Sequence, residues 1–256
     1  MKRRISILTS LAAAVLMTAS CISTTEFHAI PDSKTPMTMT PALFTNVPEG
    51  LAEELGVENG IPSSMCAFLV KKNGKNILFD SGNGGDDAQL IPTLAIHGVA
   101  PEDIDYVFIT HLHGDHIGGM VKDGKAVFTN ATVYLNKDEY DGWGDVDESP
   151  MGVAYGKKIT LFTDSDVLPC GVQAIKAYGH TPGHQSLLLI LDNGTQICCA
   201  ADALYMDCAL DNESEQRFTS PEAIDCLRKM RDAGVHIISG HDPVSFENNQ
   251  NYFNRC

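Results

Sequence analysis

The stretch His111-Leu112-His113-Gly114-Asp115-His116 decides how this chain is read. It places three imidazoles and a carboxylate within six residues, directly after the apolar run Ile104 to Ile109. Imidazole nitrogen and carboxylate oxygen are the donors that zinc and related divalent ions take. A solvated histidine-rich turn would carry the same residues, so the expected geometry has to separate the two readings. In an extended segment, residues two apart point the same way, and His111 and His113 can grip one ion together. Asp115 and His116 follow as the chain turns into a predicted helix through Ile117-Gly118-Gly119-Met120, and face a neighbouring point where a second ion would sit. A strand before the cluster and a helix after it put these side chains at the carboxyl end of a strand, the edge where open α/β sheets bind ligands.

Working outward, Ser64 to Val70 and Asn76 to Phe79 flank Lys71-Lys72-Asn73-Gly74-Lys75, and Asn-Gly between apolar runs predicts a hairpin. The second run ends in Asp80-Ser81-Gly82-Asn83-Gly84-Gly85. A helix is expected from about Asp87 to His97, with Pro92 in its first half and Gly98 as its stop. His97 falls in the last turn, where the helix dipole favours a cation, and reads as structural. Beyond the cluster, Ala131 to Leu135 is a strand. From Asn136 to Asp166 the periodicity fades, with Tyr140, Trp143, Met151 and Tyr155 scattered among Gly and Asp. Such a segment is expected to be a binding loop or lid, or to lay its aromatics on the core surface.

Val172 to Tyr178 alternates as a strand and leads into Gly179-His180-Thr181-Pro182-Gly183-His184. Leu187 to Leu191, a turn, and Gln196 to Ala201 form a second hairpin that ends at Asp202. Ser220 and Pro221 start a helix that runs to Ala233 and stops at Gly234. A last strand, Val235 to Ser239, precedes Gly240-His241-Asp242. On this reading His111, His180, Asp202, His241 and Asp80 each follow an apolar strand by one or two residues. Side chains at the same end of neighbouring strands converge on one edge. Taken singly, His180 and His241 are ordinary loop histidines; with the cluster they complete a metal-binding set.

Composition sets the frame. The chain has 256 residues, 43% of them hydrophobic, enough for one sizeable core. Residues 1–20 read as a signal peptide, with basic Lys2, Arg3 and Arg4, an apolar stretch Ile5 to Ser20 too short to span a bilayer, and small residues at Thr18-Ala19-Ser20. Cys21 follows at a site resembling a bacterial lipoprotein cleavage site, so the expected location is exported, either periplasmic or membrane-anchored through lipidated Cys21. Residues 21–40 read as a polar tether and 41–256 as the folded domain. The net charge of −15 opposes a polyanionic partner, which makes nucleic acid a poor ligand and counts against a nuclease. None of the eight cysteines stands in C-x-x-C spacing, so a cysteine zinc knuckle is not expected. Adjacent Cys198 and Cys199 point to opposite faces of a strand and read as core packing.

The constellation resembles the metallo-β-lactamase superfamily from about Ser64 to Asp242. His-x-His-x-Asp-His is that family's signature, here His111, His113, Asp115 and His116. Gly-His-Thr-Pro-Gly-His supplies His180, Asp202 matches the bridging carboxylate, and His241 in Ser-Gly-His-Asp matches the last ligand. The resemblance implies an α/β fold: an αβ/βα four-layer sandwich of two mixed β-sheets with outer helices. It implies one ion held by His111, His113 and His180, another by Asp115, His116 and His241, and Asp202 between them. Asp80 would orient ligands from behind, and His184 would hydrogen-bond beneath the site.

The implied activity is that of a dinuclear metal-dependent hydrolase in which a metal-bridging hydroxide opens a carbonyl ester and Asp115 shuttles the proton. The cofactors would be two divalent metal ions, zinc first, with iron, manganese or cobalt also suited to these ligands. Tyr205, three residues beyond Asp202, is similar to the tyrosine with which N-acyl-homoserine lactone lactonases stabilise an oxyanion, and so favours a small-molecule lactone as substrate. Gly114 departs from the pattern, because several lactonases carry a bulky side chain there. Glyoxalase II-like thioesterases share the ligands. A metal-binding lipoprotein without turnover is the alternative of another class. The oligomeric state and the disulfide pattern are open at this point.

Overall fold

Apolar strands with a two-residue period can serve two layers at once, and this chain uses them so. The computed structural model describes residues 24–32, 37–39, 44–45, 61–205, 210, 215–216 and 219–241. The first sheet has six strands: β1 (Glu26–Pro31), β2 (Cys66–Lys72), β3 (Lys75–Phe79), β4 (Tyr106–Ile109), β5 (Thr132–Asn136) and β6 (Ile159–Phe162), in that spatial order. Its β1–β2 and β2–β3 pairs are antiparallel and the rest parallel. The second sheet has β7 (Gln173–Lys176), β8 (Gln185–Ile190), β9 (Gln196–Ala201) and β10 (His236–Ser239), also in spatial order. Only its β9–β10 pair is parallel.

Three apolar clusters separate four layers. Between the sheets, Phe68, Val70, Ile77, Phe79 and Phe108 meet Leu187, Leu189, Ile197, Cys199 and Ile238. Alternate residues of the same strands turn outward. Ala67, Leu69, Leu78, Val107 and Ile109 pack under helix α1 (Leu90–Ile96) through Leu90 and Leu94. On the far side Leu188, Cys198, Ala200 and Ile237 pack under helix α5 (Pro221–Asp232) through Ala223, Ile224 and Leu227. Each fully buried Leu, Ile or Phe contributes about 1.5–3 kcal/mol, so a one-residue slip in register would exchange two core faces at once. This is the αβ/βα sandwich of two mixed sheets with outer helices. Cys198 and Cys199 do face opposite cores, as the alternation requires.

The structure corrects three readings. Glu26–Pro31 is not tether but edge strand β1, in register with β2 from Glu26 opposite Lys71 to Pro31 opposite Cys66. Phe27 stacks on Phe68 at 5.5 Å and Ile30 is fully buried, which holds the strand despite its polar neighbours. The domain therefore begins before residue 41. The expected signal peptide and Cys21 lie outside the described residues. Helix α1 starts at Leu90 rather than near Asp87, because Pro92 is tolerated only in a first turn.

The stretch expected to be irregular after Asn136 also contains helices. After α2 (Gly114–Ile117) come α3 (Lys137–Trp143) and α4 (Pro150–Tyr155). Asn136 caps α3 by accepting from the Asp138 N–H, and Ser149 caps α4 by accepting from the Gly152 N–H. Met151 and Tyr155 belong to the core, and Trp143 stays 45% exposed. Among the described residues no helix is long and apolar enough to cross a membrane.

Candidate metal centre

Because β3, β4, β9 and β10 run in pairs with parallel neighbours, their carboxyl ends share one edge of the sandwich. Asp80 directly follows β3 and His111 lies two residues past β4. In the second sheet Asp202 directly follows β9 and His241 lies two residues past β10. His180 is the exception, four residues past β7. The chain leaves that strand at Ala177 and turns through Gly179, whose φ of +127° suits glycine and whose missing Cβ makes room for Ser220. Asp80 (φ 57°) and Ala201 (φ 47°) hold left-handed backbone at the two strand ends that present the acidic groups. For alanine this conformation costs about 1–2 kcal/mol, and such strain gathers at functional sites.

The edge brings together two four-donor groups, each with its donor atoms within 4.8 Å of one another. One contains His111, His113, His180 and Asp202. His113 Nδ1 lies 3.1 Å from His111 Nε2 and 2.8 Å from His180 Nε2, and His180 Nε2 lies 3.2 Å from Asp202 Oδ2. The other contains Asp115, His116, Asp202 and His241. Here His116 Nε2 and His241 Nε2 lie 3.0 and 3.1 Å from Asp202 Oδ1, with Asp115 Oδ2 at 3.9 and 3.8 Å from the two rings. Asp202 thus turns one oxygen to each group.

The outer ring nitrogens are tied down. His116 Nδ1 meets Asp80 Oδ2 at 2.7 Å, His241 Nδ1 the Ser64 carbonyl at 3.0 Å, His180 Nδ1 the Tyr205 hydroxyl at 3.0 Å, and His111 Nδ1 Thr110 Oγ1 at 3.1 Å. Asp80 also accepts from the Thr110 N–H and hydroxyl at 2.8 and 2.7 Å. His184 is wholly buried, and its Nε2 accepts from the Asp202 N–H at 3.2 Å. It therefore supports the backbone of Asp202 and belongs to neither donor group.

These contacts test whether cations fit. A carbonyl and a carboxylate only accept, so His241 Nδ1 and His116 Nδ1 carry the protons. A neutral ring then aims its Nε2 lone pair at Asp202, which is repulsive unless positive charge sits between. Consistently, buried His116 Nε2 and Asp202 Oδ1 make no hydrogen bond despite their closeness. Burial opposes charge on His116 and His241, yet Asp202, with Asp80 for His116, holds both above the ordinary imidazole range. Burial would raise Asp202, but His241 and His116 hold it well below the ordinary carboxylate range. Burial pushes His111 and His113 down, with His116 and His180 respectively adding to it, and pushes His184 down to about 3. The rim thus combines neutral lone pairs with a demand for positive charge, and a pair of divalent cations fits it.

Three contributors escaped the sequence reading: Thr110 and the Ser64 carbonyl, which hold outer nitrogens, and buried Glu139; Trp143, one of the aromatics expected in a binding loop or lid, meets the His113 ring edge-on at 5.6 Å. Only Glu139 had a signal, since Asn136-x-x-Glu139 reads as a capping pair once a helix is recognised there.

The family profile of the Metallo-beta-lactamase superfamily matches residues 65–241. The chain belongs to the metallo-β-lactamase superfamily. An N-acyl homoserine lactonase of a Bacillus species is 28% identical over 170 residues, covering 61% of this chain and 63% of that protein. The chain thus spans less than two thirds of that relative's length. The crystal structure of hydrolase AbOPH in the beta lactamase superfamily superposes with a TM-score of 0.72 at 27% identity, covering 86% of this chain and 88% of that one. AidC, a dizinc quorum-quenching lactonase in complex with a product, shares the fold with a TM-score of 0.65 at 22% identity, covering 86% and 92%.

Proposed function

We propose that this metallo-β-lactamase superfamily member is a dinuclear metal-dependent hydrolase that opens a carbonyl ester, with a lactone of the N-acyl-homoserine type as its substrate. The observation that carries the reading is Asp202, one oxygen turned to each donor group, with Tyr205 Oη 3.0 Å from His180 at the same rim. His111, His113 and His180 would hold one cation, Asp115, His116 and His241 the other, and Asp202 both. Two such cations supply Lewis acidity at a carbonyl and a water acidic enough to ionise near neutral pH.

The side chains do the rest. Asp80 fixes the His116 ring through Nδ1, and the Ser64 carbonyl does the same for His241. Asp115, with 30% of its side chain exposed at the mouth, turns Oδ2 to His116 and His241 and keeps its other oxygen to take the proton of the attacking water and pass it to the departing alkoxide. Burial, then the charges of Asp202 and Asp115, push the Tyr205 phenol up, so it stays a neutral O–H donor at working pH. Its hydroxyl accepts from His180 Nδ1 and donates to the carbonyl oxygen as negative charge builds there. Trp143, exposed beside His113, offers the apolar wall that Gly114 does not. The protein would act after export, anchored through lipidated Cys21.

The test is a substrate panel with purified protein carrying two equivalents of zinc. Acyl-homoserine lactones are opened, and His116→Ala abolishes the reaction. Turnover of thioesters but not lactones would reassign the substrate class, and tight metal binding without turnover of any ester, lactone or β-lactam would refute the hydrolase. Metabolic labelling with a fatty acid that fails to mark Cys21 would remove the anchor.

A further inference from the structure

The carboxyl group of Glu139, in α3, is fully buried, at 0% exposure. It sits in the first turn of α3, yet it does not serve that helix. Its Oε1 accepts from the Leu112 N–H at 3.0 Å. Its Oε2 accepts from the Thr181 hydroxyl at 2.6 Å and the Gly183 N–H at 2.9 Å. Leu112 is the residue between His111 and His113, and Thr181 follows His180. One side chain therefore joins the backbone segments that carry all three histidines of one donor group, across the gap between the two sheets.

The surroundings are built for this contact. A Cβ on Gly183 would lie 2.0 Å from the Glu139 backbone nitrogen, so glycine there lets the loop lie directly on α3. Among the described residues His113 has no hydrogen bond on its outer nitrogen. Its ring is placed instead by the backbone next to Leu112, and so by Glu139. Among the described residues no such link joins the other group, where His116 is held through Asp80 and Ser81 and His241 through Ser64.

We propose that Glu139 is a positioning residue that sets the spacing of His111, His113 and His180, and thereby the affinity of that one cation site. This rests on the two-cation reading given above. Glutamine at 139 keeps the shape and one acceptor but turns an NH2 toward groups that themselves donate. Thr181→Val deletes one of the three bonds and leaves Glu139 in place.

Metal-stripped wild type, Glu139→Gln and Thr181→Val are titrated with Co2+, following the visible absorption of the bound ion, with thermal melts of each metal-free protein. Wild type takes up two equivalents. Glu139→Gln weakens one equivalent by about 10- to 100-fold and leaves the other within about twofold. Thr181→Val weakens the same equivalent by less. Equal weakening of both equivalents, or of neither, overturns the proposal. If Glu139→Gln does not fold, the Thr181→Val titration decides in the same way. A wild type that binds no cobalt would overturn the two-cation reading itself, before any variant is compared.

Discussion

Asp80→Asn exchanges one oxygen for an amide and should reverse one imidazole. Asp80 accepts three hydrogen bonds, from the Thr110 N–H, the Thr110 hydroxyl and His116 Nδ1. Asparagine has one acceptor oxygen, which the Thr110 N–H occupies, so its NH2 then faces His116 Nδ1. The neutral ring answers by moving its proton to Nε2, the nitrogen aimed at Asp202 Oδ1. Asparagine tolerates the left-handed backbone of position 80, so the loop keeps its course. Loss of a hydrogen bond to a charged acceptor removes about 1.5–3 kcal/mol. Loss of a residue that orients a ligand lowers metal affinity about 10- to 100-fold, which is about 1.4–2.8 kcal/mol. The two ranges agree. Calorimetric titration with zinc should show the second equivalent weakened by that factor, and nitrogen-15 NMR should place the His116 proton on Nε2. Two equivalents bound at wild-type affinity, or a proton still on Nδ1, would refute the tautomer argument.

Three further outcomes are expected. Tyr205→Phe lowers kcat for a lactone by roughly 100-fold with zinc content unchanged, as loss of one oxyanion donor does; an unaltered kcat excludes Tyr205 from the chemistry. Trp143→Ala raises KM for a long-chain acyl lactone by roughly tenfold and for a short-chain one much less, by loss of apolar contact; an equal effect at every chain length denies the contact. His97, whose ring lies tilted over that of His28 at 3.9 Å, is held below its ordinary value by burial, then by the charges of His28 and Lys71, against the pull of Glu26. Its folded pKa is lowered, so the unfolded chain binds the proton first and stability falls as pH drops below about 6.5. His97→Gln should flatten that part of the denaturation-versus-pH curve relative to wild type, and parallel curves would refute it.

The strands were legible because one alternation, as in Ala67-Phe68-Leu69-Val70, serves two cores, and no other conformation satisfies both. The site residues were legible for a related reason. A buried strand that stops at a charged or imidazole side chain stops where the sheet edge begins, as at Asp80 and Asp202. Strand β1 was hidden because Glu26 and His28 interrupt a short segment, and only pairing with a strand some 40 residues away makes it extended. Helices α3 and α4 have seven and six residues, too few for a 3.6-residue period to show, and they form through their caps and the burial of Met151 and Tyr155. Glu139 was hidden because its partners, two backbone N–H groups and the Thr181 hydroxyl, come to it only through the fold, and its one local mark, the spacing from Asn136, counts only once a helix is recognised there.

The donors at the rim come from loops on both sheets, His111 to His116 on one and His180, Asp202 and His241 on the other. No nascent fragment ending before residue 241 owns a complete pair of binding groups, and neither sheet alone can hold a bridged pair of ions. On the proposed two-cation reading, capture of the second ion would report that the two halves of the molecule have already closed on each other, which would make metallation a late checkpoint of maturation.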